Sequence, residues 1–185
     1  MIQPWEKKGE TTDYDCGFFK IQVHRSASPL TGKEHPFYVL STRDWINVIA
    51  LTPEKKVLLV SQYRHGSEEV GLETPGGAVD RGESPLAAAQ RELLEETGHR
   101  SDQWTLLGQV QPNPAILDNL CHFYLALEAR QVGGLDLDEA EELEVGWAGL
   151  EEVRRLISGG TIRHALVVAA FHYLDLYREQ NPGKI

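Results

Sequence analysis

The stretch Gly77–His99, GAVDRGESPLAAAQRELLEETGH, decides the fold. Within 14 of its residues lie four carboxylates and one guanidinium, from Glu83, Arg91, Glu92, Glu95 and Glu96. Like charges spaced i,i+4 on a helix repel each other, so Glu92 and Glu96 cost stability unless a counter-charge lies between them. A divalent cation is the counter-charge that we expect.

This stretch contains a helix with defined ends. Ser84 is suited to cap its beginning, and Pro85 is suited to its first position, where proline needs no backbone N–H. Gly98 is suited to the position just past the last turn. The sequence therefore predicts one short helix between Ser84 and Gly98.

The predicted helix has one core-facing stripe at about 100° per residue, formed by Leu86, Ala89, Leu93 and Thr97. Glu96 lies at the edge of that stripe, Glu92 lies beyond it, and Glu95 lies further out. We therefore expect Glu96 and Glu92 to be partly sheltered carboxylates and Glu95 to be wetter.

The carboxylates of Glu92, Glu95 and Glu96 lie within about one helical turn, so their oxygens can converge on one or two ions. Mg²⁺ and Mn²⁺ prefer oxygen ligands and keep positions open for phosphates. The Gly76–Gly77 pair allows the backbone to approach the ion, and the Gly76 carbonyl is a candidate ligand. Arg91 precedes Glu95 by four residues and can hold its side chain in place. Water that is bound to the metal, or activated by a further carboxylate, can then attack a phosphorus atom.

The rest of the chain alternates between strands and helices. Residues 1–42 form a β-rich segment with a predicted hairpin of Phe18–His24 and Phe37–Leu40, and residues 43–185 form the main domain. Further strands are predicted at Trp45–Leu51, Val57–Tyr63, Val70–Thr74, Trp104–Val110 and His122–Ala129 and around Val145–Trp147. Two further helices are predicted at Leu150–Ser158 and Arg163–Arg178. This element order predicts an α+β protein with a mixed sheet, preceded by a small antiparallel β-meander.

The chain of 185 residues is acidic, with a formal net charge of −10 and a pI of about 5.1. This charge argues against binding to nucleic acid or to anionic lipid. Its two cysteines form no metal motif, which favours a reducing compartment. The start resembles no signal peptide, and the longest apolar run, Ala165–Phe171, is too short to span a membrane. We expect a cytoplasmic protein.

The spacing G-x5-E-x7-R-E-U-x-E-E-x-G-U, where U is a bulky apolar residue, resembles the box of the Nudix hydrolase superfamily. The matching residues are Gly77, Glu83, Arg91, Glu92, Leu93, Glu95, Glu96 and Gly98. His99 departs from the apolar last position, which implies a local packing change. The resemblance implies an α/β/α sandwich with a mixed sheet. It also implies an enzyme that uses Mg²⁺ or Mn²⁺ to hydrolyse nucleoside diphosphates linked to another group. It also implies metal ligands at Gly76, Glu92, Glu95 and Glu96, with Glu95 as either a ligand or the base. Glu83 would orient the site, and Arg91 would position Glu95.

More of the chain is similar to the ADP-ribose and ADP-sugar pyrophosphatases. Gln62-Tyr63-Arg64 matches a strand end of that branch, and Pro114 matches a proline beyond its box. The resemblance implies a catalytic glutamate from an acidic loop, either Glu139 or Glu141, and a homodimer that exchanges N-terminal segments. The expected reaction converts ADP-ribose to AMP and ribose 5-phosphate.

Several alternatives stay open at this stage. Arg64 is equally suited to a surface salt bridge, Pro114 to shaping a loop, and the acidic run 136–144 to solvent exposure. GDP-mannose, a dinucleoside polyphosphate or a damaged nucleotide is an alternative substrate. A sensor that binds a nucleotide sugar without cleaving it is the alternative outside the enzymes.

Overall fold

A computed structural model describes residues 1–137 and 142–185. The chain divides into two compact units. The N-terminal unit comprises Met1–Asp44 and Gln111–Leu120, and the larger unit comprises Trp45–Val110 and Cys121–Ile185.

The N-terminal unit is an antiparallel sheet with the order β1-β2-β3, in which the strands are Glu6–Asp15, Phe19–Ala27 and Glu34–Thr42. The segment 111–120 is joined to the end of β3 by the hydrogen bond from Leu40 N to Ile116 O, at 2.7 Å. The Asn119 side chain also donates to Arg43 O at 3.0 Å. The predicted antiparallel meander is therefore present.

The larger unit contains the remaining described strands and helices. They are β4 (Trp45–Ala50), β5 (Lys56–Arg64), β6 (Glu69–Glu73), α1 (Pro85–Thr97), β7 (His99–Arg100), β8 (Gln103–Val110), β9 (Cys121–Leu127), β10 (Arg130–Gln131), β11 (Leu143–Gly149), α2 (Leu150–Ser158) and α3 (Ala165–Gln180). Strand β9 pairs parallel with β4 and antiparallel with β8, so this sheet is mixed. Strand β5 lies between β11 and β6 in an antiparallel sheet, and β7 pairs with β10.

The central strands of this unit are buried on both faces. On β4, Ile46 and Val48 pack in a cluster with Ala89 and Leu93 of α1. Ile49 of the same strand belongs to the opposite cluster, which contains the buried residues of α2 and α3. Successive side chains of a strand point to opposite faces, so helices cover both sides of the β-structure. The predicted α/β/α sandwich is confirmed.

Two details differ from the sequence prediction. Leu86 was assigned to the core-facing stripe of α1 but is 38% exposed, because the buried face is centred on Ala88, Ala89 and Leu93. The last helix begins at Ala165 and ends at Gln180, slightly later than predicted. The proposed boundary between residues 42 and 43 stays a prediction. Within the described residues, every helix lacks either the length or the apolar character that a membrane span requires.

Candidate active site

Both ends of α1 are fixed by the residues that the sequence suggested. At the beginning, Ser84 Oγ accepts a hydrogen bond from Ala87 N at 3.2 Å. At the end, Gly98 adopts a left-handed conformation with φ of 68°, and its N–H donates to Leu94 O at 2.8 Å. A Cβ atom at Gly98 would overlap the Gly133 carbonyl. These caps fix which way each glutamate of the helix points.

The three glutamates of the last turns differ in exposure. Glu96 is 4% exposed and is counted among the buried residues. The side chains of Glu92 and Glu95 are 12% and 35% exposed. Exposure increases from Glu96 to Glu92 to Glu95, as expected from the helical spacing. Glu96 is nevertheless more deeply buried than a position at the edge of the core-facing stripe implies.

The turn at Gly76 and Gly77 follows β6 along the chain and lies in space between β4 and α1. Its backbone is attached to β4 because Ile46 N donates to Gly77 O at 2.9 Å. On the other side, Gly76 N donates to Glu96 Oε2 at 2.9 Å. A Cβ atom at Gly77 would overlap the Glu92 carboxylate, and one at Gly76 would overlap the Ile46 carbonyl. The two glycines therefore allow the backbone to lie directly against the glutamates, as an ion site formed by both would require.

Arg91 connects the carboxylates of the box. Its Nε and Nη2 donate to the two Glu83 oxygens at 3.1 and 3.0 Å, and Nη2 also donates to Ala78 O. Its Nη1 donates to Glu92 at 2.8 Å and to Glu95 at 3.0 Å. Arg91 thus holds Glu95, as the sequence suggested, but its bidentate partner is Glu83.

This network shifts the titration of both partners. The hydrogen bonds to Glu83, followed by the charge of Glu92, raise the pKa of Arg91. The hydrogen bond from Arg91, with help from the backbone N–H of Asp80, holds the pKa of Glu83 below its ordinary value of 4.5. Hydrogen bonds to the charged form of a group favour that form. Both side chains are therefore charged at neutral pH.

The chemistry of the box fits a hard divalent cation. The box combines four carboxylates with one guanidinium, which gives these five side chains a formal net charge of −3. Their donor atoms, with the backbone carbonyls of the glycine turn, are all oxygens, the atoms that Mg²⁺ and Mn²⁺ prefer. In the described part of the chain, no three His, Cys, Asp or Glu side chains already have the spacing of a metal site. The fit therefore rests on the donor set and on the excess negative charge.

Arg64 lies at the end of β5, where it forms an ion pair with a carboxylate that sequence reasoning did not single out. Its Nε and Nη2 donate to the two oxygens of Glu73 at 3.0 and 2.8 Å. The Glu73 side chain is 3% exposed, whereas that of Arg64 is 44% exposed. A buried glutamate at the end of a short strand gives no periodic signal, so only the structure identifies this partner.

The other predicted site residues belong to the N-terminal unit or lie outside the described residues. Pro114 is an exposed residue of the segment 111–120 in the N-terminal unit. Glu139 and Glu141 lie outside the described residues. His99, at the departing position of the box, is half-buried and lines a groove of about 490 Å³ with Thr97, Val145 and Trp147.

Comparisons with known proteins agree with this architecture. A model of the NUDIX domain matches residues 42–171. The methanol dehydrogenase activator of Bacillus methanolicus is 34% identical over 132 residues, 71% of each chain. The ADP-ribose pyrophosphatase of Bacillus subtilis is 33% identical over 132 residues, again 71% of each chain. A crystal structure of an ADP compounds hydrolase superposes with a TM-score of 0.87 at 20% identity, covering 100% of this chain and 99% of that one.

The chain belongs to the Nudix family, and its class is that of the Nudix hydrolases. The resemblance inferred from the box is therefore confirmed, as is the relationship in sequence to an ADP-ribose pyrophosphatase. The structural match at 20% identity confirms the fold.

Proposed function

We propose that this protein hydrolyses the pyrophosphate bond of a nucleoside diphosphate sugar, with ADP-ribose as the leading substrate. The observation that carries this proposal is the convergence of Glu92 and Glu96 on the Gly76–Gly77 turn. Excess negative charge beside an open backbone turn suits the binding of a cation and, through it, of a diphosphate. The similarity to the ADP-ribose pyrophosphatase of Bacillus subtilis supports ADP-ribose over other nucleotides.

The proposed cofactor is Mg²⁺ or Mn²⁺. The Gly76 carbonyl and the carboxylates of Glu92, Glu95 and Glu96 would hold it. When bound, such an ion polarises the diphosphate oxygens and offsets their negative charge. Arg91 keeps Glu92 and Glu95 oriented toward one another despite their repulsion, since it donates to both.

The remaining roles concern the substrate and the proton. Arg64 binds the diphosphate, and Pro114 shapes a segment that contacts the substrate. Glu139 or Glu141 accepts a proton from the attacking water. The water oxygen forms a new bond to one phosphorus as the bridging P–O bond breaks, and the leaving phosphate takes up a proton. The products are AMP and ribose 5-phosphate.

The active form that we propose is a cytoplasmic homodimer assembled through residues 1–42. The N-terminal sheet exposes aromatic side chains, including Tyr14, Phe37 and Tyr38, which are 54%, 42% and 62% exposed. Exposed apolar area of this kind favours association with another chain. Sedimentation velocity of the full chain tests this, and a monomer at all concentrations would contradict it.

A substrate panel tests the proposed reaction. The purified protein is incubated with ADP-ribose, GDP-mannose and a dinucleoside polyphosphate, each with Mg²⁺, Mn²⁺ or EDTA, and products are separated by chromatography. We expect AMP and ribose 5-phosphate from ADP-ribose with either metal and no product with EDTA. Faster turnover of GDP-mannose or of the dinucleoside polyphosphate would replace ADP-ribose as substrate. Binding without turnover of any nucleotide sugar would favour a sensor.

A further inference from the structure

A groove of about 490 Å³ lies beside the end of α1 and has no role in the reaction proposed above. It is bordered by Thr97 and His99, by residues of the segment 131–135 and by residues of β11. Its described lining residues include none of the carboxylates that are proposed to hold the metal. A ligand in this groove would therefore be bound by groups other than those of the box.

The groove contains an exposed aromatic ring. Trp147 lines it and is 60% exposed, although Lys56 Nζ lies 6.0 Å from the centroid of its ring. Leu135, which is 45% exposed, and Val145 add apolar surface beside it. A flat, wet indole next to apolar side chains is a platform on which a planar ring can stack.

The polar groups of the groove offer hydrogen-bond acceptors. His99 Nδ1 lies 2.7 Å from Thr97 O, which can only accept, so Nδ1 carries the proton and Nε2 of the neutral ring is an acceptor. Gln131 Nε2 donates to Gly133 O at 3.3 Å, which leaves Gln131 Oε1. Glu144 adds a carboxylate, and none of the described lining residues is Lys or Arg. The groove therefore suits a ligand that brings donors and carries no negative charge.

The spacing along β11 sets the length of that ligand. Glu144 and Trp147 are three residues apart on the strand, or about 10 Å. They lie opposite Ser61 and Leu58 of β5, so they leave β11 from opposite faces. Because β11 is at the edge of its sheet in the described residues, side chains from both faces can border one groove. A nucleoside has a similar length, with a planar base at one end and the vicinal hydroxyls of its ribose at the other.

We propose that this groove binds an uncharged nucleoside, whose base stacks on Trp147 and whose ribose hydroxyls donate to Glu144. A carboxylate is well suited to accept hydrogen bonds from ribose hydroxyls. A nucleotide fits less well, because its phosphate would approach the charge of Glu144 without a cation among the described lining residues. A nucleoside has no pyrophosphate bond, so this site is independent of the proposed reaction.

The first test is calorimetry with adenosine in EDTA, which requires no turnover. We expect the wild type to bind with a Kd of about 0.1 mM, an ordinary affinity for a ligand of this size. Trp147→Ala should weaken binding about tenfold or more, whereas Trp147→Phe keeps a stacking ring and should stay within about threefold. Trp5→Ala is the control, because Trp5 is an exposed tryptophan of the N-terminal unit, and it should change the Kd less than about twofold.

Two results of this test would overturn the proposal. One is a wild type that does not bind adenosine at about ten times the expected Kd. The other is a W147A protein that binds adenosine as tightly as the wild type. Thermal unfolding of each variant shows whether it is folded, and W147F gives the answer if W147A is not. Neither result depends on whether the protein hydrolyses ADP-ribose.

A second test examines the role of Glu144 with AMP and with dideoxyadenosine, which lacks the vicinal hydroxyls. The wild type should bind each about fivefold more weakly than adenosine. Glu144→Gln should bind all three ligands about equally, because both the charge and the strong acceptor are lost. Glu142→Gln, which removes a nearby charge that is not among the lining residues, should keep the wild-type preferences.

Three outcomes of this second test would overturn the assignment. They are equal binding of adenosine and dideoxyadenosine by the wild type, an unchanged preference for adenosine in E144Q, and loss of that preference in E142Q as well. The last would show that the net charge of the region, rather than a contact with Glu144, disfavours AMP.

Discussion

Replacing Glu96 by Gln should stabilise the metal-free protein while abolishing its activity. Glu96 is 4% exposed and follows Glu92 by four residues in a box whose formal net charge is −3. At about 6 Å and an effective dielectric constant of about 20, two like charges repel by roughly 2–3 kcal/mol. Glutamine can still accept the hydrogen bond from Gly76 N, but a neutral acceptor is weaker by about 1 kcal/mol. The net gain is about 1.5 kcal/mol, or about 3–6 °C in Tm.

The assay is thermal unfolding in EDTA and in Mg²⁺, followed by circular dichroism. In EDTA, E96Q should unfold at a higher temperature than the wild type. Mg²⁺ at about 100 times its dissociation constant should stabilise the wild type by about 2.7 kcal/mol and E96Q much less, because E96Q lacks a proposed ligand. Glu179→Gln, which removes a charge from an exposed position of α3, is the control and should respond to Mg²⁺ like the wild type.

Two results would refute this reasoning. If E96Q is less stable than the wild type in EDTA, relieving the repulsion within the box gains less free energy than is lost by weakening the hydrogen bond from Gly76 N. If Mg²⁺ raises the Tm of both proteins equally and E96Q keeps full activity, Glu96 is not a metal ligand. Either outcome is decisive because E96Q differs from the wild type by one group of almost identical shape.

Three further predictions concern the helix and its network. Leu93→Ala should destabilise the protein by about 3–5 kcal/mol and Leu86→Ala by less than about 1 kcal/mol in urea unfolding, since Leu93 is fully buried and Leu86 is exposed; similar values would contradict the observed packing. Gly98→Ala should cost about 2 kcal/mol or more through its positive φ and the overlap with Gly133, and an unchanged Tm would argue against this cap. The pKa of Glu83 is depressed in the folded protein, so its ion pair with Arg91 should make the wild type more stable than Glu83→Gln above the ordinary pKa of 4.5. This difference in the free energy of unfolding should vanish as the pH falls through the folded pKa. A difference that does not change with pH in urea unfolding would be inconsistent with the ion pair.

The helix of the box was predictable because its signals are local. Ser84, Pro85 and Gly98 fix its ends through contacts within a few residues, and the structure places the helix at Pro85–Thr97. The relative shelter of the glutamates followed from helical geometry alone. The prediction for Leu86 was wrong because the spacing defines a stripe but not its centre, which depends on where β4 lies.

Long-range partners could not be predicted from the sequence. Glu73 meets Arg64 because β5 and β6 pair in one register, and a single sequence does not reveal that register. Strand β1 was missed as a separate element because EKKGETTDYD is almost entirely exposed and lacks a buried apolar face. Its partner is chosen by backbone hydrogen bonds to β2, which no side-chain pattern reports.

The two caps of α1 also limit how this gene can vary in length. Ala88, Ala89 and Leu93 fill the core while Glu92 and Glu96 face the glycine turn, all from one helix anchored at both ends. Inserting or deleting a single residue between the caps would rotate the residues that follow the change by about 100° relative to those that precede it. A one-residue insertion or deletion within the helix would therefore displace a core side chain and a carboxylate together. Length changes should be tolerated instead in exposed turns such as the one between β2 and β3.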